Sequence, residues 1–221
     1  MLFRSSLVDL HDTAFVGNRA PTGAGIYMAS GQLQVGRDSP GLNVGCPASS
    51  PCMRFENNWT GNDCPGALSD HSGGAIALSG VRAFIHQAKF SGNCAAGGAV
   101  LWASGAAVPA PAIDIEGMLA HDNFNAGAWQ SSISVSPGHD LRIRYSTLVR
   151  SWTRPTGSAN WQLLSSLSEI PPTPGSYIRT SIVDVAQAPP WGNASAGCGL
   201  LLNGDNLTFR DPISGDYRLA A

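Results

Sequence analysis

Asp114 and Glu116 are the acids whose spacing could do chemistry. They stand two residues apart in Ile113-Asp114-Ile115-Glu116, an alternation that predicts a strand. Both carboxyls then share one face, separated by roughly 6.5 to 7 Å. Glycoside hydrolysis asks for two carboxyl groups about 5 to 9.5 Å apart across the bond, depending on mechanism. His121 follows closely enough to serve as a proton carrier, so Asp114, Glu116 and His121 form the catalytic combination to test. Any outward-facing pair of acids on a strand has the same spacing, and a non-catalytic strand is the simpler account of these residues.

Four of the five histidines adjoin an aspartate: His11-Asp12, Asp70-His71, His121-Asp122 and His139-Asp140. Sequence neighbours on a strand point to opposite faces, so these make poor dyads unless a turn brings them round. Turn residues bonding the local backbone are the simpler account. Exposed tryptophans offer a different chemistry, stacking on sugar rings. Trp59, Trp129, Trp152, Trp161 and Trp191 fall in or near predicted loops, and Trp129 and Trp152 are the candidate ligand contacts. The five cysteines lack any Cys-x-x-Cys pair, which argues against zinc and for disulfides in an oxidising compartment. Cys46 with Cys52, and Cys64 with Cys94, are plausible bridges that leave Cys198 over; five buried free thiols are the alternative. No metal site and no cofactor is expected.

The elements that must carry these residues are short strands. Twenty-six glycines, 15 prolines and 13% charged residues disfavour helical bundles. A net charge of −2, with one lysine and no basic run, gives no electrostatic footprint for nucleic acid. No apolar run approaches a membrane-spanning length, so no transmembrane segment is expected.

A repeat sets the architecture. Gly73-Gly74-Ala75-Ile76 recurs 24 residues later as Gly97-Gly98-Ala99-Val100, with a variant at Gly23-Ala24-Gly25-Ile26. Phe15-Val16-Gly17-Asn18, Phe55-Glu56-Asn57-Asn58 and Phe90-Ser91-Gly92-Asn93 form a second series, with a fourth position expected at Leu119 to Asp122. Such a register predicts stacked coils and an all-β right-handed parallel β-helix, a pectate-lyase-like solenoid, as one domain over residues 1–221. Inserted loops are expected near 36–54, 59–72, 154–175 and 188–197, and the fold is expected to be incomplete at one or both ends. If coils stack about 4.8 Å apart, Asn18, Asn58 and Asn93 form an amide ladder above a stack of Phe15, Phe55 and Phe90. Aligning the glycine motifs puts Ile26, Ile76 and Val100 in one inward column and Met28, Leu78 and Trp102 in another, leaving Tyr27, Ala77 and Leu101 outward.

The motifs FVGN, FENN, FSGN and GAGI, GGAI, GGAV resemble the repeats of chlamydial polymorphic outer-membrane proteins and related bacterial β-helix proteins. The later segments LRIRYSTLV, SYIRTSIVDV and FRDPISGDYRLA resemble the C-terminal coils of bacterial right-handed β-helix repeat proteins. This resemblance implies a secreted or surface-displayed β-helix, adhesive or facing glycans, and the leading expectation is a non-catalytic rod presenting its loops for adhesion or carbohydrate contact, with a polysaccharide or a host or cell-surface ligand as partner. A monomer is expected. The alternative is a polysaccharide lyase or glycoside hydrolase acting along a parallel-sheet groove. Of the polygalacturonase motifs only a faint echo remains, at Arg142-Ile143-Arg144.

Overall fold

The computed structural model describes residues 2–3, 6–36, 53–61, 72–105, 112–126, 131–136, 139–149, 151–153, 162–164, 175–179, 181–184, 200–202, 209–211 and 216–219. Among them there is no helix. Most strands assemble into four sheets of parallel neighbours from successive passes of the chain, and Phe209–Asp211 pairs antiparallel with Asp216–Leu219 in a separate two-stranded sheet. Sheet I holds Leu2–Phe3, Ile26–Met28, Ile76–Ser79, Leu101–Ser104 and Ile133–Val135. Sheet II holds Ser6–Leu10, Gly31–Val35, Val81–His86, Ala112–Glu116, Asp140–Arg144 and Tyr177–Arg179. Sheet III runs through Ala14–Val16, Met53–Glu56, Ala88–Ser91, Leu119–His121, Thr147–Val149, Ile182–Asp184 and Leu200–Leu202. Sheet IV runs through Arg19–Ala20, Trp59–Thr60, Cys94–Ala95, Phe124–Asn125 and Ser151–Thr153, with Gln162–Leu164 added antiparallel. From Leu2 to Thr153 the chain visits the sheets in the order I, II, III, IV and repeats it, the topology of a stacked-coil solenoid.

The Phe-x-x-Asn motif explains one corner. Its third residue takes a left-handed backbone in every copy: Gly17 (φ 66°), Asn57 (54°), Gly92 (65°) and Asp122 (51°). Glycine and short Asx side chains tolerate that conformation best. The turn carries the chain from sheet III to sheet IV and delivers the asparagine inward. Asn18 Nδ2 donates to Asn58 Oδ1 at 2.8 Å, Asn58 Nδ2 to Asn93 Oδ1 at 2.9 Å, and Asn93 Nδ2 to Asn123 Oδ1 at 3.0 Å. Each Oδ1 also accepts the backbone N–H of the preceding asparagine. The rungs are 40, 35 and 30 residues apart in sequence, so coil length varies while the corner does not. Asn123 makes the fourth copy Ala120-His121-Asp122-Asn123, one residue beyond the expected Leu119 to Asp122.

Behind the ladder, Phe15, Phe55 and Phe90 stack with ring centroids 5.0 and 4.8 Å apart and planes within 5°. Ala120 and Leu148 continue their column. One buried cluster joins these residues to the inward files of sheet II, which include Leu33, Ala83, Ile113 and Leu141 beside Val35, Ile85, Ile115 and Ile143.

The glycine motif stacks differently from the sequence alignment. Ile76 pairs with Leu101, and Leu78 with Ala103, so Val100 leaves the Ile26–Ile76 column and Trp102 joins Tyr27 and Ala77. Trp102 is half-buried on the face opposite the core, and Leu101 is fully buried. The cause is the choice of bend. Gly98, the second glycine of its pair, takes the positive φ (63°) that Gly23 (57°) and Gly73 (72°) take in their coils, while Gly97 pairs with Ser72. A one-residue slip reverses the facing of every following side chain.

Strands also occupy parts of the predicted loops. Met53–Glu56, Trp59–Thr60 and Gln162–Leu164 overlap 36–54, 59–72 and 154–175; apart from these strands and Gly36, Gly61, Ser72 and Gly175, those ranges lie outside the described residues, as does all of 188–197.

Candidate functional site

Sheet II places Asp114 and Glu116 on its outer face, since Ile113 and Ile115 between them are fully buried. Register defines the columns. Asp9, Gln34, Phe84, Asp114, Arg142 and Tyr177 form one file across six coils. His86, Glu116, Arg144 and Arg179 form the next. Acids and bases therefore stand on shared outward columns. They are consumed in ion pairs between coils: Arg142 Nη1 lies 3.6 Å from Asp114 Oδ1, and Arg144 Nη2 lies 2.9 Å from Glu116 Oε2. Arg142 Nη2 also bonds Asp140 Oδ2 at 3.1 Å, and its Nε donates to the Gly175 carbonyl. The Asp114 side chain is only 14% exposed. Two rings share the face under guanidinium groups, with Arg82 over Phe84 at 5.0 Å and Arg179 over Tyr177 at 4.5 Å.

His121 does not join these acids. It sits on sheet III, beyond the corner at Gly117 (φ 67°), in the column of Glu56 and Ser91. Its Nδ1 meets Asp122 Oδ2 at 2.9 Å, because the left-handed backbone at Asp122 brings that neighbour round. The imidazole that does approach Glu116 is His86, with Nε2 at 3.9 Å from Oε1. His86 ends the strand Val81–His86 as Glu116 ends Ala112–Glu116, and the register of the two coils sets them side by side. Among the other histidines, His11 meets Asp9 at 2.8 Å rather than Asp12. His139 is buried; loss of solvent pushes its imidazole below the ordinary value, opposed by its hydrogen bond to the Ser136 carbonyl.

The corner between sheets II and III adds a residue that sequence reasoning missed. There the left-handed position is filled by Asp12 (φ 44°), Gln87 (49°), Gly117 (67°) and Tyr145 (48°). Gln87, Gly117 and Tyr145 each donate their N–H to the last strand carbonyl of the next coil, at Glu116, Arg144 and Arg179. Tyr145 is 62% exposed, the most exposed of the described aromatic side chains.

The tryptophans divide. Trp129, Trp161 and Trp191 lie outside the described residues. Trp152 is on the strand Ser151–Thr153 rather than in a loop, in register with Phe124. Trp59 is also in a strand; Arg19 lies 4.9 Å over its ring, and its Nε1 donates to the Gly92 carbonyl. Cys94 is buried and disulfide-bonded. Cys46, Cys52, Cys64 and Cys198 fall outside the described residues.

Among the described residues no group of three or more His, Cys, Asp or Glu is placed to hold a metal ion, and no helix is long and apolar enough to cross a membrane. Comparison with protein families, with characterised proteins and with solved structures found no match.

Proposed function

We propose that this chain is a right-handed parallel β-helix from an exported or surface-displayed bacterial protein, and that it is a non-catalytic rod contacting carbohydrate through its outer face. The observation carrying this reading is the pairing of Asp114 with Arg142 and Glu116 with Arg144. A glycosidase needs one carboxyl free to give a proton and another free to attack or to activate water. Here both carboxylates are held by guanidinium groups of the adjacent coil, and Asp114 is largely covered. The same face offers what a hydroxyl-rich chain can use without reacting: rings at Phe84 and Tyr177, and planar donors and acceptors between them. Successive coils set the positions of this file about 4.8 Å apart along the stack, with rings at two of its six places.

A polysaccharide panel with two readouts tests this. Retention in affinity gels without new reducing ends or unsaturated uronate is the expected result. Turnover that disappears in Asp114→Asn or Glu116→Gln would establish the lyase or hydrolase reading instead. Silence in both assays would leave carbohydrate contact without support and point to a protein ligand.

A further inference from the structure

We propose that the corner following the Glu116–Arg144 pair is a subsite for one sugar ring of an uncharged glycan, with Tyr145 as its platform. The inference rests on the carbohydrate-contact reading above and locates it. Three observations converge on it.

The fold does not ask for tyrosine here. The equivalent corners use Asp12, Gln87 and Gly117, and a ring on a left-handed backbone (φ 48°) is the most demanding occupant of the four. A bulky residue kept in that conformation, with its side chain 62% exposed, gains no core packing to offset the strain. The preceding rung of the corner is Gly117, which puts no side chain beside the ring. From Gln87 to Tyr145 is two rungs, roughly 9 to 10 Å at the spacing of parallel strands; Gln87 Cγ stands 3.4 Å from where a Cβ on Gly117 would be, so a pyranose stacked on Tyr145 would be bordered by Gln87 beyond the glycine.

Directed hydrogen-bonding groups border this gap. Glu116 and Arg144 immediately precede Gly117 and Tyr145, and they meet at 2.9 Å. His86 precedes Gln87 and reaches Glu116 at 3.9 Å. Vicinal hydroxyls can bridge a carboxylate and a guanidinium edge, donating to the carboxylate and accepting from the guanidinium. The charges select against a polyanion. Arg142, Arg144 and Arg179 are offset by Asp114, Asp140 and Glu116 on the same stretch of face, leaving no surplus of positive charge for uronate or sulfate.

The test is affinity gel electrophoresis of the whole chain in a neutral β-glucan, a neutral mannan and a polyuronate, at low and high salt, with thermal melts of each variant. Wild type should be retained in at least one neutral gel, with little response to salt. Tyr145→Gly should weaken retention roughly threefold to tenfold while the melting temperature stays the same or rises, because glycine relieves the backbone as it removes the ring. Tyr145→Phe should keep retention, and Arg54→Ala, on the outer face of sheet III, should change nothing. Retention of wild type that is indifferent to Tyr145→Gly overturns the subsite and spares the carbohydrate reading. Retention confined to the polyuronate and lost in salt overturns the neutral-ligand assignment. No retention of wild type in any gel overturns both.

Discussion

Asn93→Ala should be among the most damaging single changes in this chain. The Asn93 side chain is fully buried and makes four hydrogen bonds. Its Nδ2 donates to the Phe55 carbonyl at 2.8 Å and to Asn123 Oδ1 at 3.0 Å. Its Oδ1 accepts from the Asn58 backbone N–H at 3.1 Å and from Asn58 Nδ2 at 2.9 Å. Alanine removes all four, but the partners suffer unequally. Asn58 Nδ2 keeps its bond to the Phe15 carbonyl, and Asn123 Oδ1 keeps the Asn93 backbone N–H. The Asn58 N–H loses its acceptor and the Phe55 carbonyl loses a donor, both in a dry interior. At about 1 to 3 kcal/mol for each buried group left unsatisfied, the cost is about 2 to 6 kcal/mol. For a domain of this size that lowers the melting temperature by roughly 5 to 20 °C. Asn18→Ala is the matched control, because Asn18 is exposed and its side chain makes one bond, to Asn58 Oδ1. That change should cost about 1 kcal/mol or less. Urea titrations of both variants, followed by far-ultraviolet circular dichroism, measure the difference. If Asn93→Ala and Asn18→Ala agree within about 1 kcal/mol, the ladder is a consequence of stacking and does not hold the coils together.

Other positions respond to different forces. Phe55 lies between two parallel rings, so Phe55→Ala should cost about 4 to 6 kcal/mol, and Phe15→Ala, stacked on one side only, clearly less; chemical denaturation ranks them. Gln87→Gly should leave stability unchanged or raise it by up to about 1 kcal/mol, because Gln87 is exposed at φ 49°; a loss in thermal melts would refute the strain argument. Gly92→Ala should lower stability by about 1 kcal/mol in thermal melts, since its backbone has φ 65° and the added methyl would meet Asn57 Oδ1, the end of a side chain that can turn aside. His139 is pushed down by burial, so as pH falls below about 6.5 the unfolded chain takes a proton that the folded chain refuses, and stability drops. His139→Gln should flatten that acid limb, read as melting temperature against pH between about 7 and 5.

The sequence carried the parallel stack because its corners are chemically specific. Phenylalanine, a residue that accepts φ > 0, and asparagine must occur together wherever sheet III turns into sheet IV, and three of the four copies keep all of them. The fourth keeps Asp122 and Asn123 but replaces phenylalanine with Ala120, which hid it by one residue. Beyond it the polar ladder changes corner. Ser146 Oγ accepts the Met118 N–H and donates to the Arg144 carbonyl, and Ser181 Oγ repeats this with the Ser146 N–H and the Arg179 carbonyl. The written signature of that second ladder is Arg-x-Ser, too common to be noticed without the coils aligned. The misplacement of Trp102 has another cause. Gly97 and Gly98 both suit a bend, and only the backbone path decides which one turns. The meeting of His86 with Glu116 was illegible for a third reason: it depends on the length of an entire coil, which local pattern does not fix.

Inward columns repeat like with like, because identical apolar or amide side chains stack favourably on themselves. Outward columns of charge gain nothing from doing so, since like charges in directly neighbouring strands repel. Sheet II sets Asp114 against Arg142 and Glu116 against Arg144, with Arg179 turned over the Tyr177 ring beyond Arg144, and in sheet III Lys89, directly beside Arg54, reaches Glu56 diagonally at 3.2 Å. Such pairs contribute little stability on an exposed surface, about 0 to 1 kcal/mol each, but they disfavour a slip of one coil along its neighbour. Folding therefore accounts for most of the charged residues on the outer face, including the two acids whose spacing first suggested catalysis. It does not account for Tyr145. That ring has neither a core to fill nor a backbone that favours it, and a residue held against its own local preference is where a function other than folding should be sought.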